Sequence, residues 1–354
     1  MPTLSNRGPR PPERDRGALG SSGPALKRRV APVRVEATVH PVVVLAAAAV
    51  SAGLLTWFAS GRSKRLDPAA SGGRRYAPRG SAVTASAAQR LNHASTMLAA
   101  SVLFDSGLEH YRGQFFNRAM YTPIIVSSVT LAASLHGAGD TDPGSSRVRH
   151  AVQALAGLTG LIGFGFHAYN VGKREGGYSF QNLFYAAPIG APMALTLAGV
   201  LGVVAERVRD ADPDEPRLGG LPAGRSLAVA TAGMLAGTTL EAGLLHFRGA
   251  FQNPAMFVPV TLPPLAAALL VRAATKPEGA SQAGAKWGML AVSAMGVGGV
   301  AFHAYGVARM MGGWANWRQN LIDGPPLPAP PSFSGVALGG LAALELIERS
   351  RFRF

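Results

Sequence analysis

The sequence has no cysteine and few charged side chains. Among its 354 residues, Asp, Glu, Lys and Arg together make up 15%, whereas a soluble protein carries about 25%. The missing cysteine excludes disulfides, thiolate metal sites and cysteine nucleophiles, so any metal or haem must be held by His, Met or carboxylates. Because 48% of the residues are hydrophobic and cluster in long runs, the composition predicts a polytopic membrane protein.

Acidic residues are scarcer than basic ones, 19 against 34, and the net charge is +15. The basic stretches lie in loops between apolar runs, so the positive-inside rule explains the charge better than nucleic-acid binding does. The predicted partners are therefore the lipid bilayer and other subunits of a membrane complex, with no nucleic acid. Phosphate-binding loops, HExxH and GxSxG are absent from the sequence, so no catalytic residue is assigned.

Nine stretches are long and apolar enough to cross a bilayer, which needs about 20 residues. They lie at 41–59, 92–110, 121–138, 150–171, 184–206, 226–247, 256–274, 287–308 and 333–348. The preceding residues 1–39 are rich in Arg, Pro and Gly, which predicts a disordered basic tail or an organellar transit peptide. An extra transmembrane helix at 40–60 and a basic linker at 61–90 follow. The expected location is the bacterial inner membrane, or an organellar membrane if residues 1–39 are a transit peptide.

The chain contains an internal duplication. Residues 105–123 read DSGLEHYRGQFFNRAMYTP, and residues 241–259 read EAGLLHFRGAFQNPAMFVP. The offset of 136 also aligns FHAY at 166–169 with FHAY at 302–305, and an offset of 138 aligns QNL at 181–183 with QNL at 319–321. The sequence thus divides into membrane repeats at 91–208 and 226–354, joined by a polar linker at 209–225.

Each repeat holds four predicted spans, so the chain returns to its starting side between the repeats. The repeats should therefore be parallel and related by a pseudo-twofold axis along the membrane normal. The predicted fold class is all-α, a polytopic helical membrane bundle of about 8–9 transmembrane helices.

Four histidines recur in both repeats: His110, His167, His246 and His303. Each lies near the end of a span that runs in the same direction, so all four are expected near one membrane face. Gly160 and Gly296 begin a glycine face beside the second histidine of each repeat, where a backbone or a flat cofactor could approach. This arrangement is similar in kind to di-haem membrane cytochromes. In many of those, however, the histidines lie at two depths, so one haem or metal at one face fits better here.

The predicted site contains repeated residues that could bind a cofactor, and the four histidines are also the candidate metal ligands. The full set is His110, His167, His246, His303, Arg112, Arg248, Asn117 and Asn253. The cofactor would be haem b or a transition metal, with the arginines balancing anionic groups in a redox-associated subunit. Met120 and Met256 could join a copper site. Equally, the histidines could only cap helix ends, and the glycines could only serve helix packing.

Two further functions remain open. The acids Asp105 and Glu241 are aligned inside spans, where ionisable residues are costly and often functional, and internal repeats are common in transporters. A small-molecule or ion transporter is therefore one alternative. The other is a non-catalytic structural or assembly subunit of a larger membrane complex.

Overall fold

The computed structural model describes residues 79–351, except for residues 143, 189, 213 and 214. The predicted tail at 1–39 and the predicted span at 41–59 lie outside these residues, as does most of the predicted linker at 61–90. The long helices of the described part are α1 (Arg79–Arg112), α2 (Thr122–Gly139), α3 (Arg147–Gly172), α5 (Met193–Asp210), α6 (Ala223–Arg248), α7 (Val258–Thr275), α8 (Gly279–Ala308) and α10 (Pro331–Arg351).

Shorter elements connect the long helices. The short helices α4 (Phe180–Tyr185) and α9 (Trp317–Asp323) precede α5 and α10. Turns of 3-10 helix lie at Arg118–Tyr121, Pro254–Phe257 and Gly313–Asn316. The strands β1 (Arg217–Leu218) and β2 (Leu221–Pro222) form an antiparallel ribbon between α5 and α6.

The described part confirms the all-helical class and contains five helical segments that are long and apolar enough to cross a membrane. These segments are Arg118–Gly139, Arg147–Gly172, Ala223–Arg248, Pro254–Thr275 and Gly279–Ala308. The helices α1, α5 and α10 also overlap predicted spans but carry more polar residues. They are packed on several sides, α1 against α2, α5 and α10. Some of their polar side chains, such as Asn92, Ser95 and Glu206, are therefore buried inside the bundle. The total of 8–9 spans stays a prediction.

The helices pack in the same order in both repeats. In the first repeat, α1 packs against α2 and α5, and α3 packs against α5 and α2. In the second repeat, α6 packs against α7 and α10, and α8 packs against α10 and α7. Between the repeats, α1 and α10 pack extensively, whereas α5 and α6 touch at only a few positions.

One apolar core joins the two repeats. Leu98 of α1, Leu201 of α5, Leu235 of α6 and Val336 of α10 are fully buried and belong to the same cluster. Close van der Waals packing at such positions stabilises a helical membrane bundle, because lipid tails are as apolar as the side chains of the core.

Two helices differ in extent from the predicted spans. Helix α1 begins at Arg79, well before the predicted start at 92, because Ala87 and Ala88 are fully buried and extend its packed face. Helix α5 begins only at Met193, after the predicted start at 184. The intervening Pro188 and Pro192 lack the N–H that a continuous helix would need.

Candidate functional site

The first helix of each repeat ends in the same left-handed turn. Gln114 and Phe115 have φ angles of 57° and 46°, and the aligned Ala250 and Phe251 have φ angles of 55° and 46°. In both turns the phenylalanine N–H donates to the carbonyl of the repeated histidine, at 3.0 and 3.1 Å. Four non-glycine residues in this uncommon region, at matching positions, show that the duplicated sequence encodes a duplicated backbone conformation.

His110 and His246 attach this turn to the helix that follows. The Nδ1 atom of His110 lies 2.6 Å from the carbonyl oxygen of Met120, and that of His246 lies 2.9 Å from the carbonyl oxygen of Met256. Because a carbonyl only accepts hydrogen bonds, Nδ1 carries a proton, and in the neutral imidazole Nε2 keeps the lone pair. Each imidazole therefore has a structural bond on one nitrogen and a basic nitrogen on the other.

His167 and His303 form the equivalent attachment for the second pair. The Nδ1 atoms of His167 and His303 lie 2.6 Å from the carbonyl oxygens of Pro188 and Pro326, respectively. Both prolines lie in the irregular stretches that precede α5 and α10. The histidine N–H donates to each of these carbonyls and so holds the incoming chain against α3 or α8.

Asn117 and Asn253 have a local role. Each accepts a hydrogen bond through Oδ1, from the N–H of Ala119 and of Ala255, and both distances are 2.9 Å. This is the N-cap interaction, which satisfies a donor that a helix start leaves free. Their recurrence is explained by the turn they cap.

Arg112 and Arg248 connect each repeat to the other. Arg112, at the end of α1, donates to the carbonyl of Ile322 in α9 and forms an ion pair with Glu109. Arg248, at the end of α6, donates to the carbonyl of Ala186, just after α4, at 3.3 Å. The two arginines thus make reciprocal contacts between the repeats.

The glycine faces beside the second histidines are occupied by the next helix. A Cβ on Gly163 would lie 3.0 Å from the Cβ of Pro192, and one on Gly299 would lie 2.7 Å from the Cβ of Pro330. These glycines therefore allow the close approach of a backbone, which the sequence analysis expected as an alternative to a flat cofactor. The residues that lead into α5 and α10 lie against these glycine faces.

The four histidines do not form one cluster. His110 interacts electrostatically with His167, and His303 with His246, so each repeat brings its own two imidazoles together. Within residues 79–351 no group of three or more His, Cys, Asp or Glu side chains could hold a metal ion. A single metal shared by all four histidines is thus unsupported there, and haem or metal binding stays a prediction.

A large cavity lies between the repeats, with a volume of about 2010 Å³. Its walls come from α1, α6 and α8 and from the first residues of α5 and α10, and most of the lining is apolar. His246 and His303 line this cavity, whereas His110 and His167 do not. The charged lining residues are Asp105, Glu109, Arg112, Glu241, Arg248, Arg309 and Asp323.

Two aligned carboxylates line the cavity. Asp105 and Glu241 are close enough to interact electrostatically. Glu241 accepts a hydrogen bond from the N–H of Gly190, while its Oε1 is buried without a partner among the described residues. Asp105 makes neither a hydrogen bond nor an ion pair with the described part of the chain.

A second buried charge cluster lies at the other end of the first repeat. Arg149 donates to Glu206 through Nε at 2.7 Å and through Nη2 at 3.0 Å, and to Asp140 through Nη1 at 2.7 Å. Arg209 donates to the carbonyl of Gly137 at 2.9 Å. The sequence analysis missed this cluster. The charged residues at the ends of the predicted spans were the one feature of the sequence that could have indicated it.

The cluster is confined to the first repeat. At the aligned positions the second repeat has Ala285 for Arg149, Leu344 for Glu206 and Ile347 for Arg209. These three residues are 0%, 6% and 2% exposed. The aligned buried positions are thus filled by ion pairs in the first repeat and by apolar side chains in the second.

Comparison with known proteins gives no relative from which a role could be transferred. The chain matches no protein-family model, and neither a curated protein nor a solved structure is significantly similar to it. The site must therefore be interpreted from its own geometry.

Proposed function

We propose that this integral membrane protein binds a small organic molecule in the cavity between two four-helix repeats, as a carrier or transporter does. The single observation that supports this function is the cavity of about 2010 Å³ with Asp105 and Glu241 facing it. Ligand cavities commonly combine an apolar lining with a few polar groups. In membrane proteins built from repeats, substrates commonly bind between the repeats.

The proposal includes a pseudo-twofold axis along the membrane normal, passing between the repeats. Two sets of contacts support it, because they join positions that the duplication aligns. A Cβ on Gly339 of α10 would lie 3.4 Å from the Cδ2 of Leu201 of α5, and 201 and 339 are aligned at the offset of 138. Asp105 and Glu241, aligned at the offset of 136, also face each other.

A fluorescence titration tests the function. The neutral probe N-phenyl-1-naphthylamine is titrated into the protein in lipid nanodiscs, with empty nanodiscs as the background for partition. We expect saturable extra fluorescence that is lost in Gly237→Phe, because Gly237 lines the cavity, and kept in Gly165→Phe. A Cβ at either glycine meets no atom within 4 Å, so both variants should fold. The proposed function is contradicted if the wild type gives no fluorescence above that of empty nanodiscs. It is also contradicted if Gly237→Phe and Gly165→Phe give equal fluorescence.

A second candidate is a haem or transition-metal site on the wall of the same cavity. It is favoured by His246 and His303, which line the cavity with Nδ1 bonded to a carbonyl. Such a bond on one nitrogen is typical of histidines that bind metal through the other. Absorption spectra of the oxidised and dithionite-reduced protein, with metal analysis, test it. A Soret band lost in His303→Ala would support it, and a colourless, metal-free protein would exclude it.

A further inference from the structure

The two interfaces between the repeats use aligned helices but differ in closeness. At the α1–α10 interface, a Cβ on Gly335 would lie 3.0 Å from the carbonyl oxygen of Ala94 and 3.0 Å from Cγ of Leu98. The residue aligned with Gly335 in α5 is Leu197, which lines the cavity. Glycine lets two helix backbones approach closely, whereas leucine holds them apart. This exchange explains why α1 packs on α10 while α5 and α6 separate.

The separated side exposes a face of α6 made of small residues. Gly233 and Gly237 line the cavity and are exposed. An added Cβ would meet no atom within 4 Å at either position. Leu240, one turn further on, is 76% exposed and also lines the cavity. Because α5 and α6 touch at only a few positions, this exposed face gives the cavity an opening to the outside of the bundle between the two helices.

The opening lies at the depth of the acyl chains. At a rise of about 1.5 Å per residue, Gly237 lies about 16 Å from the end of α6 at Arg248 and about 21 Å from its start at Ala223. The hydrocarbon core of a bilayer is about 30 Å thick. An α6 that crosses the membrane thus places this opening near the midplane, where it faces lipid tails rather than water.

The charges inside the cavity favour a cation. The arginine nearest the first acid, Arg112, is already bonded to Glu109 and to the Ile322 carbonyl. Asp105 and the Oε1 atom of Glu241 have no such partner within the described residues. Arg248 interacts electrostatically with Glu241 but forms no ion pair with it, and the cavity lining carries four carboxylates against three arginines. Two carboxylates in apolar surroundings repel one another unless a proton or another cation lies between them. A ligand with a positive charge and an apolar body would complement both the acids and the lining.

We propose that the cavity takes up a lipophilic organic cation from the bilayer, through the opening between α5 and α6, and holds its charge between Asp105 and Glu241. This inference rests on the proposed function and adds to it the ligand class and the route. The ligand enters from the bilayer, because the opening lies beside acyl chains. At the histidine end of the cavity, Arg112 and Arg248 make hydrogen bonds between the repeats and so restrict entry from that end.

Two radiolabelled probes of matched size and opposite charge test the ligand class. Tetraphenylphosphonium and tetraphenylborate are titrated into the protein in nanodiscs, and binding to empty nanodiscs is subtracted. We expect saturable binding of the phosphonium alone. The variant Asp105→Asn with Glu241→Gln should weaken it at least about tenfold, since a charge-assisted contact is lost on each side. Gly237→Phe should abolish phosphonium binding, whereas the control Gly165→Phe, at an exposed glycine outside the cavity lining, should leave it unchanged.

The wild-type comparison decides the case even if the double variant does not fold. Preferential binding of the borate would overturn the inference of a cation and leave the cavity function intact. If neither ion binds but N-phenyl-1-naphthylamine still does, the inference of a cation is likewise overturned and the cavity function stands. Failure of all three probes would overturn both proposals. Phosphonium binding that Gly237→Phe does not alter would refute the route between α5 and α6.

Discussion

Replacing Arg149 with alanine should be among the most destabilising single changes in the first repeat. The guanidinium is 1% exposed, and Glu206, which it contacts through two nitrogens, is 0% exposed. Arg149→Ala would leave that carboxylate buried beside the Ser146 N–H without its counter-ion. Removing one partner of a buried ion pair costs about 3–5 kcal/mol, so we expect a loss of that size in the free energy of unfolding.

The second repeat supplies the compensating change. Its aligned residues are Ala285 and Leu344, and both are buried. Arg149→Ala combined with Glu206→Leu removes the fully buried carboxylate along with its partner, and apolar replacement of buried ion pairs is often neutral or stabilising. Asp140, the second partner of Arg149, is 19% exposed and keeps its hydrogen bond from the Asp142 N–H. The double variant should therefore recover to within about 1–2 kcal/mol of the wild type, giving a large coupling energy between the two positions.

Unfolding in mixed detergent micelles, followed by tryptophan fluorescence, measures these free energies. The matched control is Arg217→Ala, which removes an exposed arginine from an exposed ion pair with Glu215. That change should cost under about 1 kcal/mol. If Arg149→Ala were as mild as the control, or if the two changes were simply additive, the interpretation of this cluster as a tightly coupled buried network would be wrong.

Four further variants probe other parts of the fold. Burial raises the pKa of Asp140, but the Asp142 N–H and Arg149 outweigh it and lower the pKa below 3.8. The advantage of wild type over Asp140→Asn should thus be full above about pH 5 and lost as the pH falls below 3.8, as acid-unfolding midpoints would show. Ala250→Gly should stabilise by about 1 kcal/mol, because glycine adopts φ 55° without cost, and a decrease in the melting temperature would contradict this. Gly335→Leu should destabilise by at least about 2 kcal/mol through overpacking against α1, whereas Gly237→Leu should be neutral in the same thermal melts.

Much of the helical architecture was accessible from the sequence. Apolar runs and proline-rich connections predicted helices that overlap all eight long helices of the described part. The duplication predicted which loops resemble each other, and the left-handed turns at Phe115 and Phe251 agree with it. Helix starts were less accessible, because α1 extends to Arg79 through burial of its own N-terminal half, which depends on the neighbouring helices.

The candidate site was only partly predictable. The sequence identified Asp105, Glu241 and the repeated histidines, but it could not show that His110 and His167 would lie off the cavity. Nor could it show the cavity itself, which depends on how far apart α5 and α6 lie. We attribute the separation of α5 and α6 to Leu197, which lies opposite a glycine face. The effect of this leucine appears only when both repeats are assembled.

The two copies of the repeat help to separate structural residues from functional ones. Asn117 and His110 recur because each makes the same local bond in both copies, to a helix start or to a carbonyl. A recurring residue with a complete local explanation needs no ligand to account for it. The cavity arises instead where the copies differ, at Gly335 against Leu197, because a symmetric pair of close interfaces would leave no opening. Divergence after duplication is thus the feature that leaves an opening in an otherwise closed helical bundle.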